Sequence, residues 1–548
     1  MVLDHPYLTS QLIAYIGNKR ALLGVLADLF RELDSEDRIH TFLDPFAGSG
    51  SVSRLGKYLG FRTACNDWEP YSRIINAAHI GIDHSEADRY FDGGLERIIG
   101  EINRSRVEVP SYVARYYAPR KTEEADYRRE RLFYTAENAA FIDRSRHLIE
   151  IRYPGWDLDE RERKAKTLLL ASLIYQAATH ANTSGVFKAF HKGFGGHGKD
   201  AIKRITAPMK LIPPVLIDGA PGCGSYGEDA RDFVLGRTAD LCYLDPPYNQ
   251  HQYGSNYHLL NTVVLWDKPE YPLERGGDGR LRDKAGIRRD WTKTRSDYCY
   301  REKAGRALAE LLDRIDCRYI VLSYNTEGII PFDELVDMLS ERGNLDLYSS
   351  DYVTYRGGRQ SISKAVHNAE FFLLLRSGGT TSAGVKKRVR RFRKERHLAL
   401  LLRGTFHPRR LKKYSAGLPA GFNLDCGSRE PCRLVEAPNE GDISALDELD
   451  LDRFIAALEF SRFEDYREEC LYLIGLLAGA DGDTRLRSRI ERRFVQILKK
   501  IAHRKHRDAF REVVESVRAR VPLEDERFLR FAERIDEIER IAELRIRG

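Results

Sequence analysis

Cysteines are few in this chain of 548 residues, and the eight that occur are scattered. They form no Cys-x-x-Cys pair, and no second ligand pair follows Cys426 and Cys432 at the spacing of a zinc site. Several lie in apolar runs, as reduced core residues do. The cysteine pattern therefore argues against a disulfide scaffold and a structural zinc site, and we expect no metal.

Long hydrophobic runs and internal repeats are also absent. No apolar segment approaches the ~20 residues that cross a bilayer. Residues 1–7 lack a positive leader followed by an apolar stretch, and the lack of a repeat excludes a solenoid or a propeller. With 31% charged residues and a mean hydropathy of −0.48, the composition predicts a soluble, cytoplasmic protein with no membrane partner.

Basic residues outnumber acidic ones only slightly, with 89 Lys and Arg against 82 Asp and Glu. The net charge of +7 and the pI near 8.8 are compatible with a nucleic-acid partner, although an ordinary solvated surface explains them equally well. The length allows two to four domains and a substantial core. The function must therefore be sought in motifs.

The most informative segment is residues 241–248, which reads Leu-Cys-Tyr-Leu-Asp-Pro-Pro-Tyr. Prolines cannot donate to a strand ladder, so a predicted strand ends before Pro246 and Pro247. This leaves Asp245, the Pro246 carbonyl and the Tyr248 ring at the mouth of a sheet. A planar base with an exocyclic amino group needs hydrogen-bond acceptors and a ring to stack on, and this turn offers both. The alternative is a proline-rich turn with a buried tyrosine.

A glycine-rich loop lies between a predicted strand at residues 41–43 and a predicted helix at residues 51–60. It reads Asp44-Pro45-Phe46-Ala47-Gly48-Ser49-Gly50. Glycines let a ligand approach the backbone, and the helix that follows presents its first N–H groups. The spacing does not match a dinucleotide fingerprint, and no Walker lysine is present. The loop therefore predicts a cofactor site of another kind, or an ordinary strand–helix turn.

A second predicted strand, at residues 61–66, ends at Asp67. A carboxylate at this position, roughly 20 residues after the glycines, can hold ribose hydroxyls. Glu69 competes for this role, but Asp67 lies closer to the strand end. The order strand, loop, helix, strand predicts a βαβ unit and a parallel α/β sheet.

Three segments, in this order, resemble the Dam-like, alpha-class N6-adenine DNA methyltransferases: Tyr15-Ile16-Gly17-Asn18-Lys19-Arg20, the glycine-rich loop and Asp-Pro-Pro-Tyr. The resemblance covers roughly residues 10–376. It implies a Rossmann-like class I methyltransferase sheet that uses S-adenosyl-L-methionine. It further implies methyl transfer to the N6 amino group of a flipped adenine in double-stranded DNA, in a restriction-modification or phage-defence setting. A cognate restriction or defence protein and a nucleoid location would follow.

The resemblance also implies roles for individual residues. It assigns catalysis to Asp245, Pro246, Pro247 and Tyr248. It places at the cofactor Tyr15, Gly17, Asp44, Pro45, Phe46, Gly48, Gly50, Asp67 and Asp229. It assigns DNA contacts to Lys19, Asn249 and Tyr253. The basic block from Lys386 to Lys413 separately predicts phosphate contacts by Lys386 and Arg388, with a solvated charge run as the alternative.

Composition shifts divide the chain into five predicted segments. They are 1–79, the cofactor half of the core; 80–220, a charged target-recognition insertion; 221–376, the second part of the core with the catalytic strand; 377–442, a linker and basic arm; and 443–548, an all-helical domain. Residues 268–300 form a second polar insertion. Alternative functions are methylation of cytosine N4 or of RNA adenine, and a catalytically silent DNA-binding subunit on the same fold.

Overall fold

The chain divides into two compact units, Met1–Val385 and Lys386–Gly548. The computed structural model describes residues 4–196, 201–271, 273–349, 370–381, 383–402, 404–414, 424–425, 433–434, 443, 445–479 and 484–547. Cys426, Cys432 and much of the predicted segment 377–442 lie outside the described residues.

In the described part of the first unit, strands form one mixed sheet. They are β1 (Thr41–Asp44), β2 (Arg62–Asn66), β3 (Gly224–Tyr226), β4 (Thr238–Leu244), β5 (Asp316–Asn325), β6 (Gly343–Ser349) and β7 (Glu370–Ser377). Their order is β3-β2-β1-β4-β5-β7-β6, and β7 runs in the opposite direction to the other strands of this sheet. The predicted Rossmann-like α/β sheet is confirmed.

Helices cover both faces of this sheet. They are α1 (Pro6–Thr9), α2 (Leu23–Glu36), α3 (Ser51–Tyr58), α4 (Pro70–Gly81), α5 (Leu95–Arg104), α6 (Val113–Tyr117), α7 (Ala136–Arg152), α8 (Glu160–Thr179), α9 (Ile202–Thr206), α10 (Ala230–Val234), α11 (Tyr253–Asn256), α12 (His258–Leu265), α13 (Arg301–Leu312) and α14 (Phe332–Ser340). On one face, apolar residues of α2 such as Phe30 pack on Phe42 of β1 and Tyr243 of β4. The apolar stripe of α2 thus explains why it covers the middle of the sheet.

The charged insertion 80–220 shares a buried core with helices of the sheet layer. Leu168 and Ile174 of α8 belong to the same cluster as Ile75 of α4 and Leu259 of α12. In addition, the buried Arg146 of α7 donates to the last carbonyls of α12. The charged composition of this region therefore describes its surface, while its interior is apolar.

The remaining described chain is mainly helical. Its helices are α15 (Ala383–Leu401), α16 (Pro408–Tyr414), α17 (Glu448–Ser461), α18 (Tyr466–Ala478), α19 (Thr484–Ile501), α20 (Arg507–Arg520) and α21 (Leu529–Arg547), and a two-residue pairing joins β8 (Leu424–Asp425) to β9 (Arg433–Leu434). Leu473, Phe494, Val513 and Phe531 lie in one buried cluster. The predicted helical C-terminal region is confirmed. None of the described helices combines the length and apolar content that crossing a bilayer requires.

Candidate active site

The carboxyl ends of β1, β2 and β4 meet at one cavity. Because β1 lies between β2 and β4, the strand order reverses here, and such a switch point opens a crevice at the carboxyl ends of the strands. The cavity has a volume of about 230 Å³. All three sequence segments contribute to its lining: the Tyr15–Lys19 stretch, the loop after β1 and the Asp-Pro-Pro-Tyr turn after β4.

A buried ion cluster lies at the end of β4. The Lys19 ammonium is 3.1 Å from Asp245 Oδ1 and 3.1 Å from Glu370 Oε2, with only 3% of the lysine side chain exposed. The Tyr248 hydroxyl lies 3.4 Å from Glu370 Oε1 and donates to it. Lys19 therefore points inward at the predicted catalytic carboxylate, and its predicted DNA contact stays a prediction.

The ionisation of Asp245 is balanced between opposing influences. The pKa of its carboxyl group is raised to about 7 in total, because burial and the nearby Glu370 raise it more than Lys19 lowers it. Lys19 therefore favours the ionised form of Asp245 against the effects of burial and Glu370. Small changes in the surrounding charges will change which state prevails.

The Tyr248 ring is held in place by its surroundings. It lies edge-on to Tyr324, with 5.8 Å between ring centroids, and its backbone carbonyl accepts from the Ile329 N–H at 3.1 Å. On another side, Gly17 has φ of +78°, and a Cβ there would lie 3.3 Å from the Tyr248 hydroxyl. The ring is thus fixed at the cavity before any ligand binds.

The glycines of the loop after β1 have the backbone conformation that their type allows. Gly48 and Gly50 have φ of +52° and +80°, where other residues are strained. A Cβ on Gly48 would lie 2.8 Å from the Tyr15 ring, and one on Gly50 would collide with Asn76. Gly48 lines the cavity, whereas Gly50 contributes the turn into α3.

Two predicted cofactor carboxylates stabilise this loop. Asp67 Oδ2 accepts from the Gly48 N–H at 3.0 Å, and Asp44 Oδ2 accepts from the Ser53 hydroxyl at 2.6 Å. Burial raises the pKa of Asp44 to about 7 and also raises that of Asp67. Both residues line the cavity, as Pro45 and Phe46 do.

Stacked tyrosines join the beginning of the chain to the segment after Asp-Pro-Pro-Tyr. Tyr15 stacks on Tyr253 and Tyr257, with centroid distances of 5.2 and 5.1 Å. The Tyr257 hydroxyl accepts from the Ile16 N–H at 2.9 Å, and the Tyr253 hydroxyl donates to the Ile16 carbonyl at 3.2 Å. Tyr253 is therefore part of the cavity wall, and its DNA contact stays a prediction.

The part of the cavity around Phe46 and Asp229 is aromatic and charged. Phe46 meets Tyr298 edge-to-face, with 5.1 Å between ring centroids. Asp229 accepts from the Arg231 guanidinium at 3.0 and 3.1 Å. Burial opposes ionisation of Asp229, but the hydrogen bonds from Arg231 lower its pKa below the usual value. Tyr298 was not identified from the sequence, because it is an aromatic residue in a polar insertion without a motif.

Glu69, the competing acid after β2, is also buried in the lining. It accepts from the Asn261 amide at 2.7 Å and from the Thr294 hydroxyl at 3.2 Å, and burial raises its pKa to about 7. That Asp67, rather than Glu69, binds ribose hydroxyls stays a prediction. Glu69 here connects α4, α12 and the segment around Thr294.

The other predicted DNA contacts lie outside the cavity lining. Asn249 is half-buried and accepts from the His251 N–H at 2.9 Å. Lys386 and Arg388 are exposed on α15 of the second unit.

Within the part of the chain that the structure describes, no group of three or more His, Cys, Asp or Glu could hold a metal ion.

Comparison with known proteins identifies the family of the chain. The family model of the D12 class N6 adenine-specific DNA methyltransferases matches residues 15–337. The chain is 30% identical over 360 residues to the type II methyltransferase M.NlaIII of Neisseria lactamica, covering 65% of this chain and 96% of that protein. It is 27% identical to M.CviAII of Paramecium bursaria Chlorella virus 1, over 66% and 98% of the two chains. Against M.FokI of Planomicrobium okeanokoites the identity is 26%, over 68% of this chain and 54% of the relative.

Proposed function

The chain belongs to the D12 class N6 adenine-specific DNA methyltransferases, and from this premise we propose that the cavity between Gly48 and Asp245 is the site of methyl transfer. The protein is a site-specific DNA methyltransferase of the restriction-modification type. One observation carries the proposal: the loop after β1 and the turn after β4 line a single cavity. The family favours adenine N6 over cytosine N4 and RNA, and an enzyme over a silent subunit.

The cofactor half of the cavity suits S-adenosyl-L-methionine, which supplies an electrophilic methyl group when bound. Gly17 and Gly48 let the Tyr248 hydroxyl and the Tyr15 ring pack closely on the backbone beside the cavity, since a Cβ would lie 3.3 Å and 2.8 Å from them. Tyr15 and Phe46 provide apolar walls, and Asp67 and Asp229 provide carboxylates. Asp44, Pro45 and Gly50 shape the loop that presents these groups.

The catalytic half suits an adenine that has left the duplex. Base flipping costs a few kcal/mol, and stacking on Tyr248 offsets part of it. The N6 amino group would donate to the Asp245 carboxylate and the Pro246 carbonyl, and Pro247 fixes the turn between them. These acceptors favour electron density on N6, which is otherwise a poor nucleophile because its lone pair is conjugated with the ring. The contribution of the protein is orientation and desolvation.

Asp245 must be ionised in order to accept both from the amino group and from Lys19. Lys19 opposes the effect of burial on this carboxyl group. We assign Lys19 the task of keeping Asp245 ionised near neutral pH. Contact with DNA by Lys19, Asn249 or Tyr253 would follow a rearrangement on binding.

The insertion 80–220 is proposed to read the target sequence, and the basic residues Lys386 and Arg388 to contact phosphate. Action on genomic DNA would place the protein at the nucleoid in the cytoplasm. A restriction or defence partner is proposed from the type II methyltransferases among its relatives.

The test combines one substitution with identification of the product. DNA from cells that express the wild-type chain should contain N6-methyladenine in one sequence context, read by single-molecule sequencing. Asp245→Ala should abolish transfer from tritiated cofactor to unmethylated duplex DNA, while sinefungin, a cofactor analogue, binds as before. Full turnover by Asp245→Ala would contradict the assignment of the site.

A further inference from the structure

A segment between α12 and α13 closes one side of the cavity. We call residues 288–300 the strap; they form the end of the second polar insertion. The strap contributes Lys293, Thr294, Arg295, Ser296, Asp297 and Tyr298 to the cavity lining. It has little regular structure, with short 3₁₀ turns at Arg289–Thr294 and Asp297–Cys299.

Hydrogen bonds and ion pairs fix the strap along its length. At its start, the guanidinium of Arg288, 4% exposed, binds both oxygens of Asp267 at 2.6 and 2.7 Å and also binds Asp290. In its middle, the Gln252 amide exchanges two hydrogen bonds with the Ser296 backbone, at 2.9 and 3.2 Å. A segment with so many fixed points presents its remaining side chains in defined positions.

The strap also lies in close contact with α11. A Cβ on Gly254 would lie 2.8 Å from Glu69 Oε1 and 3.0 Å from Thr294 Oγ1. The Thr294 hydroxyl donates to Glu69, as described above. The strap is thus joined to a residue of the cavity lining and to the helix that follows the Asp-Pro-Pro-Tyr turn.

The strap carries exposed basic side chains, two of which lie at the cavity. Arg289, Lys293 and Arg295 are exposed, and none of them forms an ion pair with an acidic side chain in the described chain. The Arg295 guanidinium lies 5.0 Å from the centroid of the Trp291 ring. Acidic residues outnumber basic ones in the cavity lining, and Lys19 is already bound to Asp245 and Glu370. The strap therefore supplies exposed positive charge where the lining would otherwise repel a polyanion.

We propose that Arg289, Lys293 and Arg295 bind backbone phosphates of the DNA beside the extruded adenine. This inference depends on the proposed function of the cavity and adds a DNA-contacting surface to it. Exposed Lys and Arg heads without acidic partners are suited to phosphate, which binds by charge and releases counterions. The carboxylate of the cofactor is the other anion that could approach Lys293 and Arg295, and the test separates the two.

The experiment compares a double variant with a control of equal charge. Lys293→Ala/Arg295→Ala is the test variant. Arg38→Ala/Arg62→Ala is the control, because these exposed arginines precede β1 and begin β2, at the amino ends of strands whose carboxyl ends meet at the cavity. The affinity for a double-stranded 30-mer is measured by fluorescence anisotropy between 50 and 200 mM NaCl, and sinefungin affinity is measured by calorimetry.

Each phosphate contact contributes about 0.9 to the slope of log affinity against log salt, so the test variant should lose about 1.8. The ratio of wild-type to variant DNA affinity should accordingly fall about tenfold between 50 and 200 mM salt. Sinefungin affinity and the slope of the control should match wild type, and Lys293→Arg/Arg295→Lys should restore the slope.

Two results would overturn the inference. One is an unchanged salt slope in the test variant. The other is a loss of sinefungin affinity with normal DNA binding, which would assign the strap to the cofactor. Failure of the proposed function would look different, because the wild-type chain itself would then not methylate DNA.

Discussion

Replacing Lys19 with glutamine should shift the pH dependence of methyl transfer to higher pH. In the proposed mechanism the ionised form of Asp245 accepts from the adenine amino group, and the pKa of this carboxyl group is about 7. An opposite charge within hydrogen-bonding distance lowers a carboxyl pKa by roughly 1–3 units. Lys19 is 3.1 Å from Asp245, so its removal should raise the pKa of Asp245 to roughly 8–10.

The expected loss of rate depends on pH. At pH 7 about half of the wild-type Asp245 is ionised, against roughly 0.1–10% in Lys19→Gln, so the rate should fall roughly 5–500-fold. The rate should recover as the pH rises through the new pKa. Single-turnover methylation of a duplex at pH 6–10, with cofactor and DNA saturating, measures both midpoints.

Two further variants test this reasoning. Lys19→Arg keeps a positive charge and should keep a midpoint closer to that of wild type. Asp245→Asn should be inactive at every pH. If Lys19→Gln lost activity equally at all pH values, with the wild-type midpoint, Lys19 would not act through the ionisation of Asp245. A direct contact with DNA would then be the better explanation.

Three other predictions follow from the site. Tyr248→Ala should lose roughly 1–3 kcal/mol of base stacking, and 2-aminopurine at the target position should fluoresce less; undiminished flipping would count against stacking. Gly48→Ala, strained at φ of +52° and within 2.8 Å of the Tyr15 ring, should displace that ring and weaken sinefungin binding with an unchanged circular dichroism spectrum, and normal affinity would show that the position of Tyr15 does not matter for this ligand. Glu69→Gln should raise Tm more at pH 8.5 than at pH 5. The wild-type protein is destabilised as the pH rises from the pKa of Glu69 in the unfolded chain to its pKa of about 7 in the folded chain, because the buried carboxyl group must then ionise. An equal change in Tm at both pH values would show that burial of this charge is not the cause.

The parts of the candidate site that could be predicted are those at strand ends that are recognisable from residue type. Asp-Pro occurs at the end of both β1 and β4, and proline cannot donate to a strand ladder, so the ends of these two strands could be read from the sequence. Glu370 was not found, because nothing near it in the sequence indicates that β7 brings its carboxylate to Lys19. Such a contact depends on the tertiary fold.

The edges of the sheet were harder to predict than its centre. β3 is three residues long, begins with Gly224 and is only half-buried, so it lacks the apolar run that predicts a strand. β6 does alternate Leu345 and Leu347 with polar residues, a signal that could have been used. The five predicted domain boundaries stay a prediction. Helix α15 lies within the predicted linker and basic arm at residues 377–442, since its Lys and Arg residues are good helix formers.

The tyrosine stack joins segments of the chain that are synthesised at different times. Ile16 and the Tyr257 hydroxyl that it binds are 241 positions apart, and Tyr15 needs the same distant partners for its own placement. A nascent chain on the ribosome therefore carries the glycine-rich loop long before it has the wall that faces it. Translation products that end before β4 should therefore lack the packed tyrosine wall of the cavity and bind a cofactor analogue less tightly than the full chain does.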